Sequence, residues 1–466
     1  MVGAKNPMLL SIKPSFTKSI RIIILTLTCI NIFIPLLCCK ISRPPGMKLP
    51  QNTECLILRY SPSGRNTGFN NINISNISRE GQYPPVIYID NSANIYINHA
   101  TFNAKYNDQG KELYRNIFAG NNLVWTYLIT NDEKGNIFTV SSQRKNKNLV
   151  LTKYNGTGQE EWQIEYGYPC STETSASVIG TDGRGNCYIA GVLPNGGTSR
   201  NFKNNYTFIA KFNYNGSLIW QNHCDSEQGI DDIYRIQIDK KGNIILLGRG
   251  SGSAHSETPG INNFDFILIK YDNDGNRQWV TRFDSKQHGY DEPKDLAIDV
   301  NNNILVTGVS EDKCTTVKYD ENGREIWTSW FNSSENKGSS PSVIKTDNEG
   351  NVYITGRSTT LWGSSFLTIK YNDAGKQEWV NEYSHGVKGL NSASVLVIDD
   401  SNNVYVSGRG SVNNQSFFFD TIKYTSDGRE QWVANYPVSS SFDIPINIFV
   451  DSNDNIILFG LVNRFS

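Results

Sequence analysis

From about residue 53 onward the chain alternates apolar and polar residues in short runs, and clusters of Asp, Asn and Gly interrupt the runs at regular intervals. Such alternation describes strands with two unlike faces, and the polar clusters describe the turns between them. The clearest stretch is Phe366–Trp379, FLTIKYNDAGKQEW: a strand, a tight turn and the opening of a second strand. Relatives of it occur at Leu149–Trp162, Thr207–Trp220, Asp265–Trp279, Thr315–Trp327 and Thr421–Trp432, with weaker copies at Ala104–Tyr114 and Leu56–Arg65. The unit recurs every 46 to 59 residues, which is the spacing of a repeat architecture rather than of independent domains.

A second signature alternates with the first: a strand, an Asp turn, then a strand often closed by Gly. Its turns begin at Asp90, Asp132, Asp182, Asp239, Asp299, Asp347, Asp399 and Asp451. An Asp or Asn side chain can bond its own backbone to start a turn, and Gly or Asn supplies the positive φ that a tight hairpin needs. Each repeat therefore holds four antiparallel strands: A before the Asp turn, B after it, C ending at Lys-Tyr, and D carrying Trp. Four-stranded units at this period are propeller blades, which bury their faces only against neighbours in a ring.

The order of the signatures predicts how the ring closes. The chain opens with a lone C–D pair from Cys55 to about Ile77 and ends with a lone A–B pair from Pro445 to about Val462. Together they complete one blade, so the expectation is all-β: an eight-bladed β-propeller closed by N- and C-terminal strands, or seven blades if the degenerate first hairpin stays unpaired.

The first residues read differently. Lys5, Lys13, Lys18 and Arg21 precede an apolar run from Ile22 to Leu37, followed by Cys38, Cys39 and Lys40. That is the layout of an export signal. Leu36 stands three places before Cys39, so the segment resembles a bacterial lipoprotein signal, which implies lipidation at Cys39. It departs from that pattern in having Cys38, not a small residue, just before it. A plain secretory signal and an N-terminal anchor helix are the alternatives. The expected organisation is a signal segment over 1–39, a Pro-containing tether over 40–52 and the propeller over 53–466, located outside the cytoplasm on the bacterial envelope or surface. The formal net charge of −1, with acids and bases mixed, gives no electrostatic case for nucleic acid.

The alternation of D-x-x-G-N-x-Y-I-x-G with K-Y-x-x-x-G-x-x-x-W resembles the bacterial β-propeller repeat called SBBP, over nearly all of Asp90–Asp451. The resemblance implies an extracytoplasmic propeller with no common enzymatic activity. The strand, Gly turn and Trp also look, more loosely, like repeats of quinone-cofactor dehydrogenases and of the propeller lipoprotein of the outer-membrane assembly machinery.

Candidate chemistry is sparse. The eight cysteines show no CxxC; Cys170 and Cys187 could form a disulfide, and isolated core thiols are the simpler reading. The five histidines stand isolated along the chain. Asp272, Asp274 and Asn276 imitate the start of a calcium loop, but Arg282 occupies the twelfth position, where a bidentate Glu is needed. No catalytic set, metal site or cofactor is assigned from the sequence. The repeated tryptophans read as packing between blades.

The short turns define one regular face, so the binding face is expected on the opposite, variable loops: 191–206, 248–263, 356–365 and 408–416. Eight residues before the turn Asp stand Thr174, Asp231, Asp291, Ser339, Asn391 and Asp443, with Asp232 and Glu292 following two of them. Arg249, Arg357 and Arg409 each follow the Gly that ends strand B. These residues read as a polar ring at the channel mouth for a cation or a basic segment, or as Asp–Arg pairs that satisfy loop ends. Trp362 lies outside the repeat position and is the candidate exposed contact. The expected function is a monomeric, lipid-anchored, non-catalytic binding module for a protein, peptide or glycan of the envelope. The alternatives are a scaffold subunit of an outer-membrane assembly complex and a propeller enzyme, either quinone-dependent or glycan-acting.

Overall fold

The computed structural model describes residues 53–73, 86–90, 92–99, 102–117, 125–142, 148–168, 174–193, 206–224, 230–251, 264–333, 337–386, 388–440 and 443–463. The expected signal segment and tether, with Cys39, and Cys170 lie outside these residues. Thirty-two strands form eight four-stranded antiparallel sheets. Blades 1 to 7 span residues 86–117, 125–166, 175–224, 232–283, 291–331, 339–383 and 392–438. The closing blade joins 53–60 and 66–73 to 444–450 and 456–463. Its seam pairs Thr53 with Asn463, Leu56 with Gly460 and Tyr60 with Ile456. The ring therefore closes with strands from both ends, and no half-blade is left unpaired.

Each Asp turn is built locally. Asp182 accepts the N–H of Arg184 and of Asn186 on Oδ1, and the Asn186 amide and Tyr188 hydroxyl on Oδ2. The same Oδ1 pair of bonds recurs at Asp90, Asp132, Asp239, Asp299, Asp347, Asp399 and Asp451. One carboxylate thus replaces the hydrogen bonds a reversing chain loses. Asp272 does the same in a C–D turn: both its oxygens are engaged by Asp274, Asn276 and Gln278.

The tryptophans join blades. Trp162, Trp220, Trp279, Trp327, Trp379 and Trp432 each donate the indole N–H to a carbonyl in the C–D turn of the next blade, at 2.9–3.1 Å. The ring lies on the positive-φ glycine of that turn; a Cβ on Gly375, at φ +80°, would stand 2.6 Å from Trp327. Glycine there serves both the turn and the stack. The motif lysines reach the same turns: Lys270 Nζ donates to Glu321 O at 3.0 Å, and Lys370 to Ser426 O at 3.2 Å. The motif tyrosines Tyr60, Tyr271, Tyr319, Tyr371 and Tyr424 are buried between sheets. Cys55, Cys187 and Cys314 are free, buried thiols.

The glycine that ends strand B has a separate cause. Strand A carries a bulge opposite it, as between Pro341 and Val343, and this brings the strands close. A Cβ on Gly356 would meet the Ser340 carbonyl at 2.2 Å. The same close approach holds at Gly191, Gly248 and Gly408. The residue after that glycine is thereby set at the mouth of the channel, opposite the start of strand A.

Candidate functional site at the channel mouth

Of the residues eight places before the turn Asp, all six are buried. At least four secure the loop entering strand A. Asp443 Oδ2 accepts the N–H of Ser439 and Ser440 at 3.0 and 2.9 Å. Ser339 accepts the Cys314 N–H and donates to the Phe331 carbonyl. Asn391 donates to the Ser364 carbonyl and accepts the Ser411 N–H, and Thr174 accepts the Tyr168 N–H. Asp231 is buried too, with its N–H bonded to the Arg249 carbonyl at 2.7 Å. Asp231, Asp291 and Asp443 are therefore interior groups.

The cations lie differently. Arg249, Arg357 and Arg409 occupy one register position in blades 4, 6 and 7, opposite Asp232, Ser340 and Ser392. Blade 5 has Val309 there, but the bulge residue Lys294 of its strand A supplies a charge instead. Four cations thus line four consecutive blades. Arg249 is satisfied: Asp232 Oδ2 accepts from it at 2.7 and 3.0 Å, the Tyr290 hydroxyl accepts at 3.0 Å, and Phe264 lies under the guanidinium at 4.3 Å. Lys294 pairs with Glu292 at 2.8 Å, and Tyr234 donates to the same carboxylate.

Arg357 has a different balance. The half-buried guanidinium has no hydrogen-bond or ion-pair partner among the described residues. Serine stands opposite it where blade 4 has Asp232. Burial lowers its pKa. Burial, and then the neighbouring Arg357, push the Arg409 guanidinium down to about 10, with Asp443 opposing. Arg357 is thus the cation of this row without a facing carboxylate among the described residues, and an unpaired guanidinium favours an anion.

Trp362 is 66% exposed on the B–C loop of the same blade, with Leu361 beside it at 61%. Lys388, from the loop entering blade 7, lies 5.2 Å over the indole ring. That loop also carries His385, whose Nδ1 lies 2.8 and 2.9 Å from the two oxygens of the buried Asp420. Asn435 donates to Asp420 at 2.7 Å, and Phe418 stacks on the imidazole with centroids 3.9 Å apart. The histidine isolated in sequence is paired in space, across 35 residues and two blades. No local spacing signals this.

At the opposite, turn end of the channel a cavity of about 660 Å³ is lined by Asp90, Lys105, Asp132, Glu133, Asp182 and Gln237 among others. Its three aspartates are already engaged in their turns, so its acidity is structural.

No family model matches the chain, and no curated protein matches it. Among solved structures it is similar to a protein of unknown function from Bacteroides caccae, at 14% identity over 62% of this chain and 92% of that one, with a TM-score of 0.33. It is also similar to a Lactobacillus plantarum protein, at 10% identity over 81% and 94%, TM-score 0.41. A third is a PL25 ulvan lyase, a polysaccharide lyase, at 12% identity over 66% and 81%, TM-score 0.38. The chain's own eight four-stranded sheets make it a β-propeller.

Proposed function

We propose that the protein is an exported, lipid-anchored propeller of the SBBP type that binds an acidic glycan on its loop face. The observation that carries the reading is Arg357, a half-buried guanidinium at the channel mouth with no acidic partner among the described residues, flanked by Arg409 and Lys294. A planar guanidinium suits a carboxylate or sulfate. Trp362, on the same hairpin, offers a flat apolar face to a sugar ring, and amphipathic aromatics are frequent contact residues. The test is calorimetric titration of the full chain with polygalacturonate and chondroitin sulfate, using dextran as the neutral control. Binding to the acidic polymers that weakens with salt, and falls at least about tenfold in Arg357→Glu, supports the reading. Equal binding of dextran, or an unaffected Arg357→Glu, rejects it; selective binding of polyglutamate would point instead to an acidic protein segment. Fatty-acid labelling of Cys39→Ala and Cys38→Ala tests the anchor, which is rejected if neither change reduces incorporation.

A second reading, an enzyme acting on the same polymer, draws on His385. The buried Asp420 orients the imidazole as a carboxylate orients a general base. Reducing-end release that is abolished in His385→Ala, with polymer binding retained, would favour it; no release by the wild type disposes of it.

A further inference from the structure

Three carboxylates from three elements meet between blades 4 and 5: Asp265 on strand C of blade 4, Asp284 just past its strand D, and Asp291 at the start of strand A of blade 5. One oxygen from each lies within 4.8 Å of the others. Calcium–oxygen distances of about 2.3–2.6 Å place two ligands of one ion at most about 5 Å apart, so the cluster has the dimensions of a calcium site.

The hydrogen bonding is the second, independent observation. Each carboxylate has one engaged oxygen: Asp265 Oδ2 accepts from Arg282 at 2.5 Å, Asp284 Oδ2 faces His288 Nδ1 at 2.7 Å, and Asp291 Oδ2 accepts the Ser285 N–H at 2.8 Å. Each Oδ1 is shut off from solvent and has no hydrogen-bond partner among the described residues. Asp265 and Asp291 are both 0% exposed. One orphaned buried carboxylate oxygen is costly and uncommon; three, one on each member of a single carboxylate cluster, call for a common partner. Among the described residues Arg282 is the permanent cation seen paired with the set, on Asp265.

We propose that Asp265, Asp284 and Asp291 hold a calcium ion that pins the 284–290 loop across the junction of blades 4 and 5. The donor set is all oxygen, which suits a hard divalent cation and not zinc, since the neighbouring His288 nitrogen is already turned to Asp284. Magnesium demands closer, near-octahedral ligands and retains its waters; calcium accepts the irregular arrangement that strands of two blades impose. Burial raises the pKa of Asp291, with Ser310 and Ser285 opposing and the Asp265 charge adding a little, and burial raises that of Asp265. This is the electrostatic stress a bound cation removes. The loop also carries Tyr290, which accepts from Arg249, so the ion steadies one edge of the channel mouth.

The test uses the full chain stripped with EDTA and titrated with calcium chloride, followed by calorimetry and thermal melting. The expected result is one calcium site and a melting temperature raised by several degrees at about 5 mM calcium, reversed by EGTA. Asp291→Asn and Asp265→Asn should each weaken calcium binding at least about tenfold. Asp291→Asn should melt no lower than the calcium-free wild type, because an amide relieves the crowding of like charges; this separates loss of a ligand from loss of the fold. No heat and no melting shift in the wild type overturns the proposal. So does a calcium response unchanged in both variants, or an equal response of wild type and variants to magnesium.

Discussion

Trp432 donates its indole N–H to the Pro62 carbonyl at 2.9 Å, across 370 residues of chain. It is the same bond that links blades 2 to 7 to their successors, and here it binds the last complete blade to the first hairpin. The joint combines an indole stacked on glycine with a hydrogen bond, so it depends on both partners. Trp327→Ala should lower stability by about 2–3 kcal/mol, below the value for a fully buried Trp because this one is half-exposed. Gly375→Ala, on the other side of that joint, should cost more than about 1 kcal/mol through its positive φ and the indole contact. Urea melts of both variants check this; a null result for Gly375→Ala would show that the ring slides away freely.

Two joints lack the tryptophan: in one Tyr114 takes its slot against Gly158, and the other has no aromatic ring there. Gly68 pairs with Arg59 in the register slot where tryptophan pairs with lysine elsewhere, and a Cβ at Gly68 meets nothing within 4 Å. Arg59 and Asn70 reach the blade 1 turn at Asp108 and Gln109 in its place. Gly68→Trp should therefore stabilise the protein, by about 1 kcal/mol or a few degrees in melting temperature. Calorimetry decides, and a lower melting point would mean that the arginine has already filled the space.

Lys318 is held by Asp299 at 2.9 Å and by Asp373, with its side chain only 2% exposed. Lys318→Met should cost about 3 kcal/mol, since it leaves the fully buried Asp299 without its cation. Lys241→Met removes an ion pair of similar length to Glu321 on the open surface. There solvent screens the charges, and the melting temperature should not change.

Burial pushes the Asp291 carboxyl up to about 6, against about 3.9 for a free aspartate. The groups that face it are Asp265, Asp284, Arg282 and His288. A folded-state value above the unfolded one favours the protonated form in the fold. The contribution to stability is therefore complete below about pH 4 and lost as the pH rises to about 6. In EGTA, the stability of wild type relative to Asp291→Asn should fall across that window. With calcium the dependence should reverse, because protons compete for the same oxygen. Urea melts at several pH values in both media check both slopes.

The blades were legible because their causes are local: the Asp that bonds its own turn and the Gly or Asn that completes it lie within five residues of each other. Tryptophan's partner was not legible in the same way. Its acceptor lies 42 to 53 residues further on in the interior joints and is a backbone carbonyl, which no side-chain pattern records. The candidate sites were harder still. Asp265, Asp284 and Asp291 belong to different strands and loops, and only the packing of neighbouring blades brings them together. The position of Arg357 after the strand B glycine was visible, but its lack of a counter-charge depended on which side chain stood opposite.

Thr53 pairs with Asn463 where strands B and C of the closing blade begin and end, on the side away from the Asp turns. Both ends of the ring thus leave the molecule on the side that displays Trp362 and Arg357. A laboratory support attached directly at residue 53 or 463 therefore faces that side. Immobilised from its ends, the protein would meet a long polymer in the narrow gap beneath it, so capture should depend on spacer length.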